Sequence, residues 1–205
     1  MFQIDTEHLH YWMSAIRDSR DPIRTLDAFW RGQISSKLWL IQNLRQLLLT
    51  ECGTKTVRVD IHGGWIGVLA SMIFQSDIPV STIRSIDIDS DCESIATTMN
   101  KIEEIQGRFK AITADMCSVQ SEGDVIINTS CEHISQKKYD DWIEKINKDA
   151  IVVLQSNNYE IPEHIRIAKN LSEFQSQCDI DVLWAGNLET QMYTRYMIIG
   201  KKKNV

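Results

Sequence analysis

The feature that most constrains the fold is the run Val57-Arg58-Val59-Asp60-Ile61-His62-Gly63-Gly64-Trp65-Ile66-Gly67, followed by Val68-Leu69-Ala70-Ser71-Met72-Ile73-Phe74. Its β-branched start, glycine turn and apolar continuation describe a strand, a tight loop and a helix, the first half of a nucleotide-binding βαβ unit. Glycines belong in such a loop because a backbone without Cβ atoms can bend sharply and approach a ligand closely. Asp60 is expected near the strand's carboxyl end, where open α/β sheets place their ligands. A second strand ending in acid, Thr82-Ile83-Arg84-Ser85-Ile86-Asp87-Ile88-Asp89, begins the other half. Its acids fall a little over ~20 residues past the glycines, the separation that ribose recognition requires.

The first fifty residues carry no strand signal. Helical periodicity places one helix over residues 6–17, with Thr6 as its cap and Leu9, Trp12, Met13 and Ile16 on one face. A second starts at Asp21-Pro22, where proline suits the first turn, and carries Ile23, Leu26, Phe29 and Trp30. A third is expected over 36–49, opening on Ser36 and carrying Leu38, Ile41, Leu44, Leu47 and Leu48. The apolar faces of these helices are expected to complete the core. Arg31, Gln33 and Lys37, around Gly32, are the better candidates for substrate contact.

From Lys55 onward strands and helices alternate, which argues for a mostly parallel sheet covered on both faces. A helix is expected over 91–106, ended by Gly107, with strands over 109–113 and 124–128. A helix over 136–147 turns Tyr139, Trp142, Ile143 and Ile146 inward, and a fifth strand spans 150–155. A loop follows over 156–163, then a short helix over 171–177. Strands over 180–185 and 192–199 flank Gly186-Asn187 at the spacing of an antiparallel pair. Two units are expected: an N-terminal helical cap over 1–53 and a Rossmann-like domain over 54–205, packed as one compact body.

Four stretches now combine. Residues 60–67, Ile86-Asp87-Ile88-Asp89, Thr113-Ala114-Asp115 and Asp124-Val125-Ile126-Ile127-Asn128 resemble, in order and spacing, the cofactor motifs of class I S-adenosylmethionine (SAM)-dependent methyltransferases. Ser130-Cys131-Glu132-His133-Ile134 is similar to the Glu-His-Ile that many small members carry after the fourth strand. The family's first glycine is His62 here, and Trp65 and Ile66 replace small loop residues. The resemblance implies a Rossmann-like, doubly wound, seven-stranded, mostly parallel sheet whose last strand is antiparallel, preceded by helices that cover the site. It also implies SAM as cofactor. Asp60, Gly63 and Gly64 would lie at its methionine end, Asp87 with Ile88 at the ribose, and Asp115 with Met116 at the adenine. Asn128 would lie nearby.

Each candidate has a plainer alternative. Asp87 can accept both ribose hydroxyls, whereas a helix-capping role suits Asp89 better. Asp115 reads equally as an adenine contact or a loop acid. His62 reads as a satisfied polar residue. Asn128, Glu132 and His133 are the catalytic candidates, since methyl transfer chiefly needs an aligned nucleophile. His133 has a suitable unperturbed pKa for a base, and Glu132 could orient it or bind a cationic acceptor; both could also simply start the next helix. Cys131 reads as core. Asn157, Asn158 and Tyr159 either bind substrate or make turns. His8 and His10 point to different helix faces and His164 has no partner nearby in sequence, so no metal is expected.

With 205 residues the chain can bury a substantial core, and 43% hydrophobic against 24% charged residues is the balance of a soluble globule. A net charge of −6 argues against a surface that grips nucleic acid throughout. Cys52, Cys92, Cys117, Cys131 and Cys178 are odd in number and scattered, which suggests reduced thiols rather than a disulfide framework. With no signal peptide and no apolar run of spanning length, a cytoplasmic protein is expected. The expected activity is SAM-dependent methyl transfer to a small-molecule acceptor. The alternatives are a nicotianamine synthase-like aminocarboxypropyl transfer, to which the departed glycine loop points, and a non-catalytic Rossmann-like binding module. Acceptor identity and oligomeric state stay open.

Overall fold

The computed structural model describes residues 6–203; the outermost ends of the two expected units, at residues 1 and 205, lie outside them. Three helices come first: α1 (Thr6–Arg17), α2 (Pro22–Asp27) and α3 (Arg31–Glu51). Then follow β1 (Val57–His62), α4 (Val68–Phe74), β2 (Val80–Asp87), α5 (Ser90–Met99), α6 (Lys101–Ile105) and β3 (Phe109–Thr113). The chain continues through β4 (Val125–Asn128), α7 (Gln136–Ile143), β5 (Ile151–Asn157), α8 (Leu171–Ser176), β6 (Ile180–Glu189) and β7 (Thr194–Lys202). The seven strands form one sheet in the order β3-β2-β1-β4-β5-β7-β6. Every strand runs the same way except β7, which is inserted antiparallel between β5 and β6. This is the Rossmann-like, doubly wound sheet with an antiparallel last strand.

Side-chain alternation along the central strands builds a core on each face. Val125, Ile127, Ile151 and Val153 join Leu40, Leu44, Ile73 and Met99 on one side. Ile126, Val152 and Leu154 join Tyr139, Trp142 and Phe174 on the other. The register aligns His62 at the end of β1 with Ile86 of β2 and Asn128 of β4. The strand order reverses between β1 and β4, so the crevice of a doubly wound fold opens there.

The leading helices depart from their expected faces. In α1 Trp12 and Ala15 are buried while Leu9 and Met13 are exposed. In α2 and the turn after it Thr25 and Ala28 are buried, whereas Ile23, Leu26 and Trp30 are exposed. Apolar residues surround this short helix, so periodicity alone could not choose the inward side. Trp12 fixes the packing: its indole N–H donates to Ser71 Oγ at 2.9 Å and its ring meets Phe29 at 5.5 Å. The cap of α2 is Asp21, which accepts from Arg24 N at 3.0 Å. Helix α3 begins at Arg31, so Ser36 lies in its interior and donates to Gln155 Oε1 at 3.1 Å.

Two further differences have local causes. The helix expected over 91–106 breaks at Asn100, whose buried amide donates to the carbonyls of Gly67 at 3.1 Å and Ala96 at 2.9 Å. The final hairpin turns at residues 190–193, since Glu189 pairs with Thr194. Gly186 therefore lies inside β6, where a Cβ would come within 2.7 Å of the Trp184 ring. That indole packs on Trp39 at 5.8 Å, tying β6 to α3. Lys201 and Lys202 belong to β7, and Lys201 reaches Glu51 at 3.1 Å. No helix among the described residues is long and apolar enough to cross a membrane.

Candidate active site

The carboxyl ends of β1, β2 and β4 floor a cavity of about 760 Å³, and Arg24, Ala28, Gln33 and Lys37 from the leading helices contribute to its wall. Three acids stand at the β2 end: Asp87, Asp89 and Asp115. Asp87 is the last residue of β2, and its carboxylate accepts from Trp65 N at 2.7 Å and Asp89 N at 3.0 Å. Each oxygen takes one of these bonds, so each retains a lone pair for a further donor. Asp89 is the helix cap, accepting from Asp91 N at 3.0 Å, and it pairs with Arg24 at 2.6 Å. The Arg24 guanidinium holds the Asp89 carboxyl below its ordinary value.

Asp115 caps a 3-10 turn, Met116–Ser118, by accepting from Cys117 N at 2.9 Å, and Lys138 lies 3.3 Å from its other oxygen. The Cys117 amide lowers its pKa most, burial opposes this, and Lys138 adds to the lowering. Asp115 therefore shapes its own loop and also lines the cavity. Met116 and Ile88 supply apolar wall there.

The glycine loop lies flat against β2. Gly64 N donates to Ile86 O at 3.1 Å, and a Cβ on Gly64 would come 2.0 Å from Ser85 Oγ. Gly63 and Gly67 adopt φ of 67° and 79°, the left-handed region that suits glycine. Trp65 shares that region at φ 48°, costly for a residue with a Cβ, and its amide bond to Asp87 helps to hold it.

Asp60 of β1 differs from expectation. Asp60 lies two positions before the strand end, and its side chain faces away from the cavity. It is buried, with Arg84 Nε at 2.8 Å and Nη2 at 2.6 Å, and it accepts from Glu122 N at 2.8 Å and Gly123 N at 3.1 Å. Burial raises its pKa, and Arg84 with the two amides more than reverses this. His62 points the same way, against Trp142 at 5.6 Å and Ser121 Oγ at 3.4 Å. Burial brings its pKa down to about 4, so it is neutral at pH 7 and does not obstruct the cavity.

The β4 end of the cavity is built from distant parts of the chain. Glu132 and His133 follow β4 and line it; Glu132 is 3% exposed. Glu132 Oε1 accepts from Asn157 Nδ2 at 2.6 Å and Arg195 Nη1 at 3.0 Å. Asn157 ends β5 and stands opposite Arg195 of β7, so the antiparallel insertion of β7 delivers the guanidinium to the carboxylate. Among the described residues neither Glu132 Oε2 nor Arg195 Nε has a hydrogen-bond partner, although both are buried. Lys37 lines the same end and donates to Gln33 Oε1 at 2.9 Å. Burial, and then the charge of Arg195, bring the Lys37 pKa down to about 7.

The remaining candidates sort clearly by position. Asn128 is fully buried beneath the cavity: its Oδ1 accepts from Ser130 N at 2.9 Å and its amide meets Met116 Sδ at 3.5 Å. It forms no part of the lining, and neither do Arg31, Asn157, Asn158 or Tyr159. Gln33 and Lys37 do. Arg195 is not among the expected site residues; its one sequence signal is a charge directly before the apolar run Tyr196-Met197-Ile198-Ile199.

No family model matches the chain, and no curated protein matches it. Solved structures do. Magnesium protoporphyrin IX methyltransferase from Synechocystis PCC 6803 with bound SAH aligns at a TM-score of 0.63 and 12% identity, over 97% of this chain and 95% of that one. A mutant of MtNAS in complex with S-adenosylmethionine aligns at 0.61 and 13% identity, over 96% and 72%. N-methyltransferase NodS from Bradyrhizobium japonicum WM9 aligns at 0.59 and 9% identity, over 82% and 97%. The fold is that of the class I SAM-dependent methyltransferases.

Proposed function

We propose that the protein is a SAM-dependent methyltransferase acting on a small-molecule acceptor. The observation that carries this reading is the division of one cavity. Carboxylates and a side-chain-free turn stand at the end of β2, and Lys37, Glu132, His133 and Arg195 stand at the end after β4. The first end fits an adenosine: Asp87 has lone pairs left for two hydroxyls, Asp115 faces the cavity, and Ile88 and Met116 offer apolar contact. Gly63 and Gly64 line the floor where the methionine portion would lie, and their missing Cβ atoms let the loop pack against Ser130 and Ser85. Asp60 and Asn128 are not in this set. Asp60 instead secures the start of β4 from below, and Asn128 the turn that carries Glu132.

SAM supplies an electrophilic methyl group on a sulfonium. The acceptor's lone pair forms the new bond to carbon, the carbon–sulfur pair returns to sulfur, and S-adenosylhomocysteine (SAH) leaves. Positioning is the protein's main contribution, supplied here by the closed β4 end. The acceptor must also lose a proton if it starts neutral. Lys37, whose pKa is brought down to about 7, is a group at that end able to take one near neutral pH, and the His133 imidazole lines the same space. The leading helices place Gln33 and Lys37 over the site, a substrate-selecting role for the N-terminal unit. The net charge of −6 favours a small acceptor over nucleic acid.

A second reading, aminocarboxypropyl transfer, draws support from the likeness to MtNAS, also solved in complex with MTA and tNA. The two readings divide at one bond of the same sulfonium. Incubating the protein with SAM labelled in the methyl group and, separately, in the aminocarboxypropyl chain, with pooled acidic metabolites as acceptors, tests them. Methyl label in the acceptor with SAH as product is expected. Label from the aminocarboxypropyl chain, with methylthioadenosine as product, would replace the first reading by the second.

A further inference from the structure

We propose that Glu132, His133 and His164 form a binding site for a divalent first-row transition cation of the zinc type, at the β4 end of the cavity. Residues far apart in sequence converge here: one donor atom from each lies within 4.8 Å of the others. Two donors sharing one zinc ion at about 2.0–2.2 Å in a tetrahedral shell stand roughly 3.3–3.5 Å apart.

The hydrogen bonds around the two imidazoles point the same way. His133 Nδ1 lies 3.2 Å from Glu163 O, and His164 Nδ1 lies 2.7 Å from Tyr159 O. A carbonyl oxygen only accepts, so each Nδ1 is the donor in these contacts and Nε2 is the nitrogen left for a ligand. Ligating histidines are oriented by this same second bond. The rings meet nearly at right angles, with centroids 4.6 Å apart.

Glu132 completes the set. Asn157 and Arg195 fix its Oε1, while Oε2 is buried with no hydrogen-bond partner among the described residues. A buried carboxylate oxygen without a partner is costly, and a cation on Oε2 removes that cost. The backbone also holds the three together: Glu132 O accepts from Ile165 N at 2.9 Å and Arg166 N at 3.1 Å, which pins the segment bearing His164 beside the turn bearing His133. Two imidazoles and one carboxylate suit zinc, cobalt or iron better than magnesium or calcium, which prefer all-oxygen shells.

Three protein donors leave coordination positions open, and Glu132 and His133 turn them towards the cavity. Arg195 already neutralises Glu132, so a bound cation leaves this end positive, with Lys37 nearby. The ligand class that fits is an acceptor with an ionisable or anionic oxygen. This last step rests on the methyl-transfer reading; the cation site itself does not. With His133 committed to the cation, Lys37 remains as the group that takes the acceptor's proton.

The test is cobalt titration of the metal-stripped full chain, read by visible absorption, with zinc and magnesium followed by calorimetry. The expected result is one equivalent of cobalt or zinc, no comparable uptake of magnesium, and at least about tenfold weaker uptake in His164→Gln and His133→Gln. SAH binding by each variant shows that it is folded. No stoichiometric uptake, or equal uptake in the variants, overturns the site. A chain that binds SAH but no cobalt overturns this proposal alone, and one that binds cobalt but not SAH retains the site and removes the methyl-transfer reading.

Discussion

The two ends of the cavity are made in different ways. At the β2 end the acids are placed mainly by their own stretches of chain: a strand stops, an acid follows, and an amide two residues on caps it, with the Trp65 amide of the glycine loop added at Asp87. At the β4 end Lys37, Glu132, His164 and Arg195 come from α3, the turn after β4, the loop after β5 and β7, and only the folded sheet unites them. The first construction suits a ligand that stays constant while partners vary. The second can change one strand or helix at a time, and it suits recognition of a particular acceptor. A buried Glu132–Arg195 pair holds the second end, which is costly in desolvation and therefore specific in geometry.

Asp60 and Asp87 sharpen the contrast, since both are acids on neighbouring strands and only one faces the cavity. The largest expected effect is on stability. Asp60→Ala takes from Arg84 its buried partner, leaving it Glu122 and the Gln120 carbonyl, and leaves two amides without an acceptor, so a loss of about 3 kcal/mol is expected in denaturant unfolding. SAH affinity of the folded protein should stay unchanged; a stable Asp60→Ala chain that no longer binds SAH would make Asp60 a ligand and break the contrast. Asp87→Ala should act the other way round. Losing two charge-assisted bonds to hydroxyls costs about 2.7 kcal/mol, or about a hundredfold in SAH affinity by calorimetry. Only about 1 kcal/mol of stability should go with it, through the lost caps.

The smallest effect concerns Lys37 and pH. Its folded pKa of about 7 lies below the ordinary 10.5, so the unfolded chain holds a proton between those values that the folded chain has released. Stability should therefore rise with pH across that window, the penalty being fully present below about pH 7. Lys37→Met should remove this rise, on the order of 2 kcal/mol after allowance for its partial exposure. Parallel curves for the two proteins would show that Lys37 is not buried as described and would detach it from the acceptor end.

Much of the β2 end was legible because local rules fix it. Strand β3 and helix α1 fall where alternation and periodicity place them, and Asp89 caps α5 as its position suggests. Asp60 could have been excluded by the same rule: Val57, Val59 and Ile61 alternate with Arg58, Asp60 and His62, which sets Asp60 on the face opposite Ile61. Its partner, Arg84, is supplied by the neighbouring strand, and no local pattern announces it. Leu26 and Met13 read as core because they are apolar, yet the inward sides of their helices are set by Trp12, Ala15 and Ala28. Arg195 and His164 were beyond reach, because strand order and the return of the loop after β5 place them, and both are long-range facts.

The most direct measurement is thermal unfolding of the wild-type chain with and without SAH. At about a hundred times its dissociation constant a ligand adds about 2.7 kcal/mol, which for a domain of this size raises Tm by roughly 5–10 °C. That rise is expected in the wild-type chain and is expected to shrink to about 1–2 °C at the same SAH concentration in Asp87→Ala. An unchanged Tm in saturating SAH, or a rise that Asp87→Ala leaves intact, would contradict the assignment of the β2 end to an adenosine.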